Sequence, residues 1–308
     1  MKPRLTFIIN KRINHRKQII KEIEEVFIDY PKIILQTEYS FQAMLLTKEH
    51  AEDSDIILAV GGDSIFNEVL NGLMSLPDNM QDRIVLGLIP AGIANDFSRS
   101  LNLSLDIRLY RNLIENESFE TISIGKVKYK TTYNKDAHRY FVNDGEVGIA
   151  AQTVRRINKS TFLLTKSMTM TLATMQSFVN FKYPYVRIIA DTIHWQGRIT
   201  SVIFIRGKYF GGGLEIVPEA DIFSDKMYLV LIEKLGYQDF IKNIYQFRYK
   251  KRVNNPRIHY FETNKLYIEP LEKREVWLQV DGVFLGKAPI EVQLVQKQIK
   301  LIVNKSNK

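Results

Sequence analysis

AVGGDSIFNEVLNGL, residues 59–73, reads as the end of a buried strand, a tight glycine turn and the first turns of a helix. Ile56, Ile57, Leu58, Ala59 and Val60 form an unbroken apolar run, which suits a parallel strand covered on both faces. Gly61 and Gly62 are then expected to take the positive φ that a sharp turn needs. Phe66, Val69, Leu70 and Leu73 recur at helical spacing and give the helix one apolar face. Asn67, Glu68 and Asn71 are expected on the other faces, near the turn. A glycine turn opening a helix presents unpaired backbone N–H groups and the positive end of the helix dipole, which together favour phosphate. Asp63 adds a carboxylate, of use there for a metal or a proton. On its residues alone the segment reads equally well as a strand-turn-helix joint with a capping Asp.

A second joint of the same kind follows. Residues 85–90 are another apolar run, continued by AGIANDFSRSL, with Gly92 at the turn and Asn95, Asp96 and Arg99 around a helix start. Two glycine turns after two neighbouring strands put both polar sets at the carboxyl edge of one sheet, where open α/β sheets bind ligands. There is no G-x-x-x-x-G-K-[ST] and no G-x-G-x-x-G. Before the first joint, 5–9 reads as a strand, Ile19, Ile20, Ile23, Val26 and Phe27 mark a helix, 33–35 is a strand and 41–51 a helix. The order β-α-β-α-β-α-β predicts a parallel sheet. From about residue 122 the pattern changes to short alternating runs (185–189, 201–205, 227–232, 266–268, 276–280), the mark of antiparallel strands. Residues 161–181 differ, with Met168, Met170 and Met175 among Phe and Leu. They read as a core helix or as the wall of an acyl-chain pocket. Residues 298–303 read as a last strand.

A length of 308 residues suits two domains. Cysteine is absent, which excludes disulfides and thiolate chemistry. The five histidines are scattered without helical pairing, so no histidine metal site is indicated. No Gly-x-Ser-x-Gly elbow points to a hydrolase. No run approaches the 18 or so apolar residues of a membrane span, and residues 1–10 lack a signal-peptide core, so a cytoplasmic protein is expected. The net charge of +9 fits an anionic membrane face, nucleic acid or a merely basic surface.

GGDSIFNEVLNGL followed by IPAGIANDFSRSL resembles the diacylglycerol kinase catalytic domain of bacterial lipid kinases, relatives of sphingosine kinase, whose pattern is GGDGTxNEVxNG and then PxGTxNDFAR. The likeness continues at Asn10, Thr37, FVNDGEVG (141–148), GKYFGGG (207–213), Pro218 with Ala220, and VDG (280–282). It implies an α/β fold, with an N-terminal parallel-sheet nucleotide-binding domain (1–121, with 294–308 returning to it) and a mostly antiparallel β lipid-substrate domain (122–293). It implies ATP-dependent transfer of the γ-phosphate to a hydroxyl of a diacylglycerol-like lipid, with ATP and Mg²⁺ as cofactors. The implied partners are a lipid substrate at the inner membrane face, met peripherally, and a second copy in a homodimer. Nucleic acid is not expected. By resemblance Asn10, Thr37, Gly61, Gly62, Asp63, Ser64, Asn67, Gly92, Ile93 and Asn95 hold the nucleotide. Asp63 and Asp225 hold magnesium, and Asp281 with Asp63 is catalytic.

The chain departs from the family pattern at working positions. Ser64 and Ile65 replace Gly-Thr, Ile93 replaces Thr, and NKRIN (10–14) replaces a small glycine turn. Ser224-Asp225 stands at the family's magnesium Asp-Gly. Asp281-Gly282-Val283 stands where the family's Asp-Gly-Glu supplies the base, and a second Asp-Gly-Glu occurs out of place at 144–146. Were Ser64 forced to positive φ, it would cost roughly 1–2 kcal/mol. The alternative is therefore a catalytically impaired lipid-kinase fold that binds nucleotide or lipid in a regulatory role.

Overall fold

Four short strands with every second residue apolar, or all of them, build the first layer of the chain: β1 (Leu5–Ile9), β2 (Lys32–Gln36), β3 (Ile56–Gly61) and β4 (Val85–Pro90). β1, β3 and β4 are buried at every position, as strands covered on both faces must be. They are separated by α1 (Arg16–Val26), α2 (Gln42–His50), α3 (Asp63–Leu73) and the short α4 (Asp78–Arg83). After β4 come α5 (Asp96–Ser100) and α6 (Ile107–Glu115), the latter opened by Asp106, whose carboxylate accepts the Arg108 N–H at 3.0 Å. The computed structural model describes residues 2–159, 177–178, 181–247 and 252–305, and it divides into two compact units, Met1–Ile124 with Gln296–Lys308, and Gly125–Val295. Most of the methionine-rich segment at 161–181 lies outside the described residues.

In the first unit the sheet order is β2-β1-β3-β4, all parallel, as the βα alternation predicts. α3 buries Ile65, Phe66, Val69, Leu70 and Leu73, and each such side chain contributes roughly 1.5–3 kcal/mol of transfer free energy. Gly72 lets α2 come close: a Cβ there would stand 2.7 Å from the Met44 carbonyl oxygen and 2.7 Å from Thr47 Cβ.

The second unit is antiparallel. It takes in the second half of β5 (Phe119–Lys130), then β6 (Asp136–Phe141), β7 (Asp144–Gly148), α7 (Ile149–Lys159), β8 (Tyr185–Ala190), β9 (Ile193–Ile205) and the two-residue strands β10 (Tyr209–Phe210) and β11 (Leu214–Glu215). There follow β12 (Tyr228–Glu233), α8 (Tyr237–Phe247), β13 (Ile258–Glu262), β14 (Lys265–Pro270), β15 (Trp277–Val280) and the long β16 (Val283–Ile302). β7 pairs β9, β9 pairs β8, β8 pairs β14, β14 pairs β16, β16 pairs β15 and β15 pairs β7, so six strands close a circuit without a free edge. Val186, Ile188, Val202, Phe204, Leu278 and Val280 are among the side chains that fill it. The end of β16 belongs to the first unit, where Lys300 and Leu301 pair in parallel with Val85 and Leu86 of β4. Among the described residues no helix is long and apolar enough to cross a membrane.

Candidate active site

Because β1 to β4 run parallel, the residues that follow them come together at one edge. The ladder continues past the strand ends through Asn10 N–H to Val60 O (3.0 Å), Thr37 N–H to Ile9 O (2.9 Å) and Ala91 N–H to Gly61 O (2.8 Å). Asn10, Thr37, Gly61, Gly62, Asp63, Ser64, Gly92, Ile93 and Asn95 therefore share the carboxyl edge of the sheet. The two glycine turns touch. A Cβ on Gly92 would lie 2.3 Å from Gly62 Cα and 2.8 Å from Gly62 N, so Gly92 requires glycine for close approach, while a Cβ on Gly62 would stand a tight 3.2 Å from Gly92 Cα. This corrects the expected reason: Gly62 has φ −103°, which is not left-handed.

Asn95 has φ 53° and opens α5. Its side chain folds back on the turn, accepting Gly92 N–H at 3.0 Å and donating to Gly92 O at 3.3 Å. Asp63 reaches the same helix start, its two carboxylate oxygens accepting Asp96 N–H at 2.9 Å and Phe97 N–H at 3.2 Å. The carboxylate thus accepts from two of the donors that a helix N-terminus leaves unpaired. Phe66 and Phe97, their ring centroids 5.0 Å apart, lock α3 to α5 beneath.

Ser64 lies inside α3 and is not among the residues with positive φ, so the strain foreseen there does not arise. Ile65, at the family's Thr position, is buried and would stand 2.7 Å (Cγ2) from a Cβ on Gly61; it fills the space under the turn and offers no hydroxyl. Asn67 lies inside α3. It is fully buried, and its carbonyl and side-chain oxygens accept the Asn71 amide at 2.8 and 3.3 Å, so it stiffens α3 from within. Ile93, by contrast, is 48% exposed at the tip of the second turn. At the first turn Asn10 accepts Arg12 N–H at 2.9 Å, and the loop leaves Lys11 and Arg12 exposed.

The edge can therefore offer a phosphate the first-turn amides of α3, whose N-cap Gly62 brings no capping side chain, together with two exposed cations. For a divalent metal the fit is thinner. Among the described residues no three acidic or histidine groups gather as a metal site, so such an ion would rest on Asp63 and on the oxygens of its own ligand.

In the second unit Asp281 has φ 44° and is 1% exposed. Its carboxylate accepts Val142 N–H (3.0 Å), Asn143 N–H (3.0 Å) and Asp144 N–H (3.1 Å), while its own N–H donates to Asp144 O at 2.9 Å. A group so enclosed clamps the 142–144 backbone. Asp225 is exposed on a bend, and its charge, like those of Asp281 and Asp221, acts on the buried guanidinium of Arg206. Burial pulls Arg206 down to about 10 against those three carboxylates. The guanidinium also donates to the Ile222 and Ser224 carbonyls at 3.0 and 3.1 Å, beside the Ser224-Asp225 pair.

Sequence reasoning missed Arg206 and set aside the second Asp-Gly-Glu. The latter sits beside Asp281 after all, since β7 pairs β15 with Glu146 opposite Gln279. Asp144 accepts from Asn143 Nδ2 (2.9 Å) and Gln279 Nε2 (3.1 Å). Glu146 is fully buried and accepts Ala150 N–H (3.1 Å) and Ala151 N–H (2.7 Å) at the start of α7, with Ser201 Oγ at 2.6 Å. Burial pushes its carboxyl up to about 7. The signal available in the sequence was an acid, Glu146, standing directly before the stretch VGIAA (147–151), which has no polar side chain.

Comparison with known proteins agrees with this architecture. The model of the diacylglycerol kinase catalytic domain matches residues 4–127, and that of the YegS C-terminal NAD kinase beta sandwich-like domain matches residues 145–303. The chain is 26% identical over 293 residues to a diacylglycerol kinase of Bacillus subtilis (strain 168), covering 94% of this chain and 91% of that one. It is 26% identical over 255 residues to a diacylglycerol kinase of Staphylococcus haemolyticus (strain JCSC1435), covering 82% and 72%. A crystal structure of a diacylglycerol kinase from Bacillus anthracis str. Sterne shares the fold, with a TM-score of 0.70 at 20% identity over 99% of this chain and 98% of that one. With both of its units matched, the chain belongs to the bacterial diacylglycerol kinase and lipid kinase family, as a divergent member.

Proposed function

We propose that the protein is an ATP-dependent lipid kinase that transfers the γ-phosphate to a hydroxyl of a diacylglycerol-like lipid. The observation that carries this reading is the contact between the Gly62 and Gly92 turns at the carboxyl edge of the parallel sheet, with the start of α3 beside it. The amides of residues 63–65 bind phosphate oxygens, Lys11 and Arg12 add charge, and Asp63 holds α5 and its turn in place. Bound Mg²⁺ would neutralise charge on the transferring group. Phosphoryl transfer passes through a loose transition state in which positioning and charge stabilisation supply most of the rate, so the enclosure of Asp281 does not by itself end catalysis. The protein works in the cytoplasm against the inner membrane face, to which its net charge of +9 draws it.

One observation favours a second reading, a nucleotide- or lipid-binding regulator without phosphoryl transfer. Asp281 is spent on three backbone amides, and Val283 is buried where the family carries its base. Incubation with labelled ATP, Mg²⁺ and a total bacterial lipid extract separates the two. Labelled lipid, lost when Lys11 and Arg12 are both replaced by Ala and in a folded Asp63→Asn variant, supports the kinase. No labelled lipid, with ATP binding retained, supports the regulator.

A further inference from the structure

One cavity of the second unit belongs to none of the machinery above. It has a volume of about 400 Å³ and lies where α7, residues 181–184 and residues 273–277 meet. Its wall is strongly basic, with Arg155, Lys182, Lys273 and Arg274 all contributing. The one acidic group on it, Glu275, is neutralised by Lys287 at 2.8 Å. Arg274 is partly matched by Glu272 at 3.6 Å and is anchored by donating to the Lys182 carbonyl. Arg155, Lys182 and Lys273 have no carboxylate partner among the described residues.

Arg155 is held in a specific way. Its guanidinium lies over the ring of Trp277, 3.9 Å from the centroid, and 5.9 Å from that of Phe284, and these two rings are themselves 5.7 Å apart. Stacking takes up the face of the guanidinium and leaves its in-plane N–H groups for a planar pair of oxygens, the arrangement in which arginine binds phosphate. Three uncompensated cations around one concavity repel each other, and a compact ligand of two negative charges relieves all three.

We propose that this cavity binds a phosphate monoester dianion, through Arg155, Lys182 and Lys273 with Trp277 as its floor. The same chemistry is offered by free inorganic or organic phosphate and by a phosphomonoester lipid headgroup at a bilayer, and the experiment distinguishes them. The full-length protein is titrated with inorganic phosphate while tryptophan emission is followed. A saturable change is expected, with affinity about tenfold weaker or worse in Lys273→Ala and in Arg155→Ala, the loss typical of a hydrogen bond to a charged group. Lys273 is exposed, so its variant folds even where Arg155→Ala does not, and Lys273→Arg should keep binding. Phosphatidylcholine vesicles carrying phosphatidic acid are compared with vesicles of matched charge carrying phosphatidylglycerol. A preference for phosphatidic acid that Lys273→Ala removes assigns the site to a lipid headgroup, even without a response to free phosphate. Absence of both a phosphate response and that preference overturns the proposal, as do responses that survive in both variants.

Discussion

Glu146→Gln should change how stability depends on pH, and by an amount the structure sets. The carboxyl is fully buried beside the first amides of α7 and Ser201, and burial pushes it up to about 7 from an ordinary 4.5. A carboxyl raised in the folded state binds its proton more tightly there than in the unfolded chain, so its contribution to stability is fully present below pH 4.5 and is lost as pH rises through 7. Between pH 5 and pH 8 the loss is about 2–3 kcal/mol, since each tenfold difference in proton affinity is worth about 1.4 kcal/mol. Gln keeps the shape and one acceptor but does not titrate. Urea unfolding of both proteins, followed by circular dichroism at pH 5 and pH 8, isolates the residue because every other titration cancels in the difference. The wild type should lose about 2–3 kcal/mol relative to the variant on going from pH 5 to pH 8. An equal difference at both pH values would refute the reasoning, and so would one that grows in the opposite direction.

Gly92→Ala sets a methyl group against backbone 2.3 Å away, where no side chain can yield, and should cost about 3 kcal/mol or more; an unchanged melting temperature would count against the packed turns. Asp281→Asn turns an NH₂ group towards at least one of the three amides that the carboxylate accepts and should lower stability by about 2 kcal/mol. A normal melting curve with turnover abolished would instead restore Asp281 as a base. Ser64→Gly, which would relax a strained turn, here falls in the first turn of a helix with ordinary φ and should cost about 0.5 kcal/mol in thermal unfolding. A gain in stability would show that the turn is strained after all.

The parallel strands, the two glycine turns and the antiparallel character of the second unit were legible in the residues, because burial on two faces, tight turns and alternation each leave a local pattern. Family membership was legible for the same reason, its motifs being short and contiguous. What the carboxylates do was not. Asp63 was read as a metal or proton ligand from its type and place, yet its oxygens accept amides 33 and 34 residues further on. Asp281 was read as a base, yet its three amide partners lie 137 to 139 residues earlier. Asp144-Gly145-Glu146 was judged misplaced, and strand pairing put it next to Asp281. Local sequence sets strand, turn and helix through short-range sterics and periodicity, whereas the partners of a buried charge are set by which strands pair and in what register. Only the tertiary structure could show that these acids hold backbone, and that a buried arginine lies under the charges of Asp225 and Asp281.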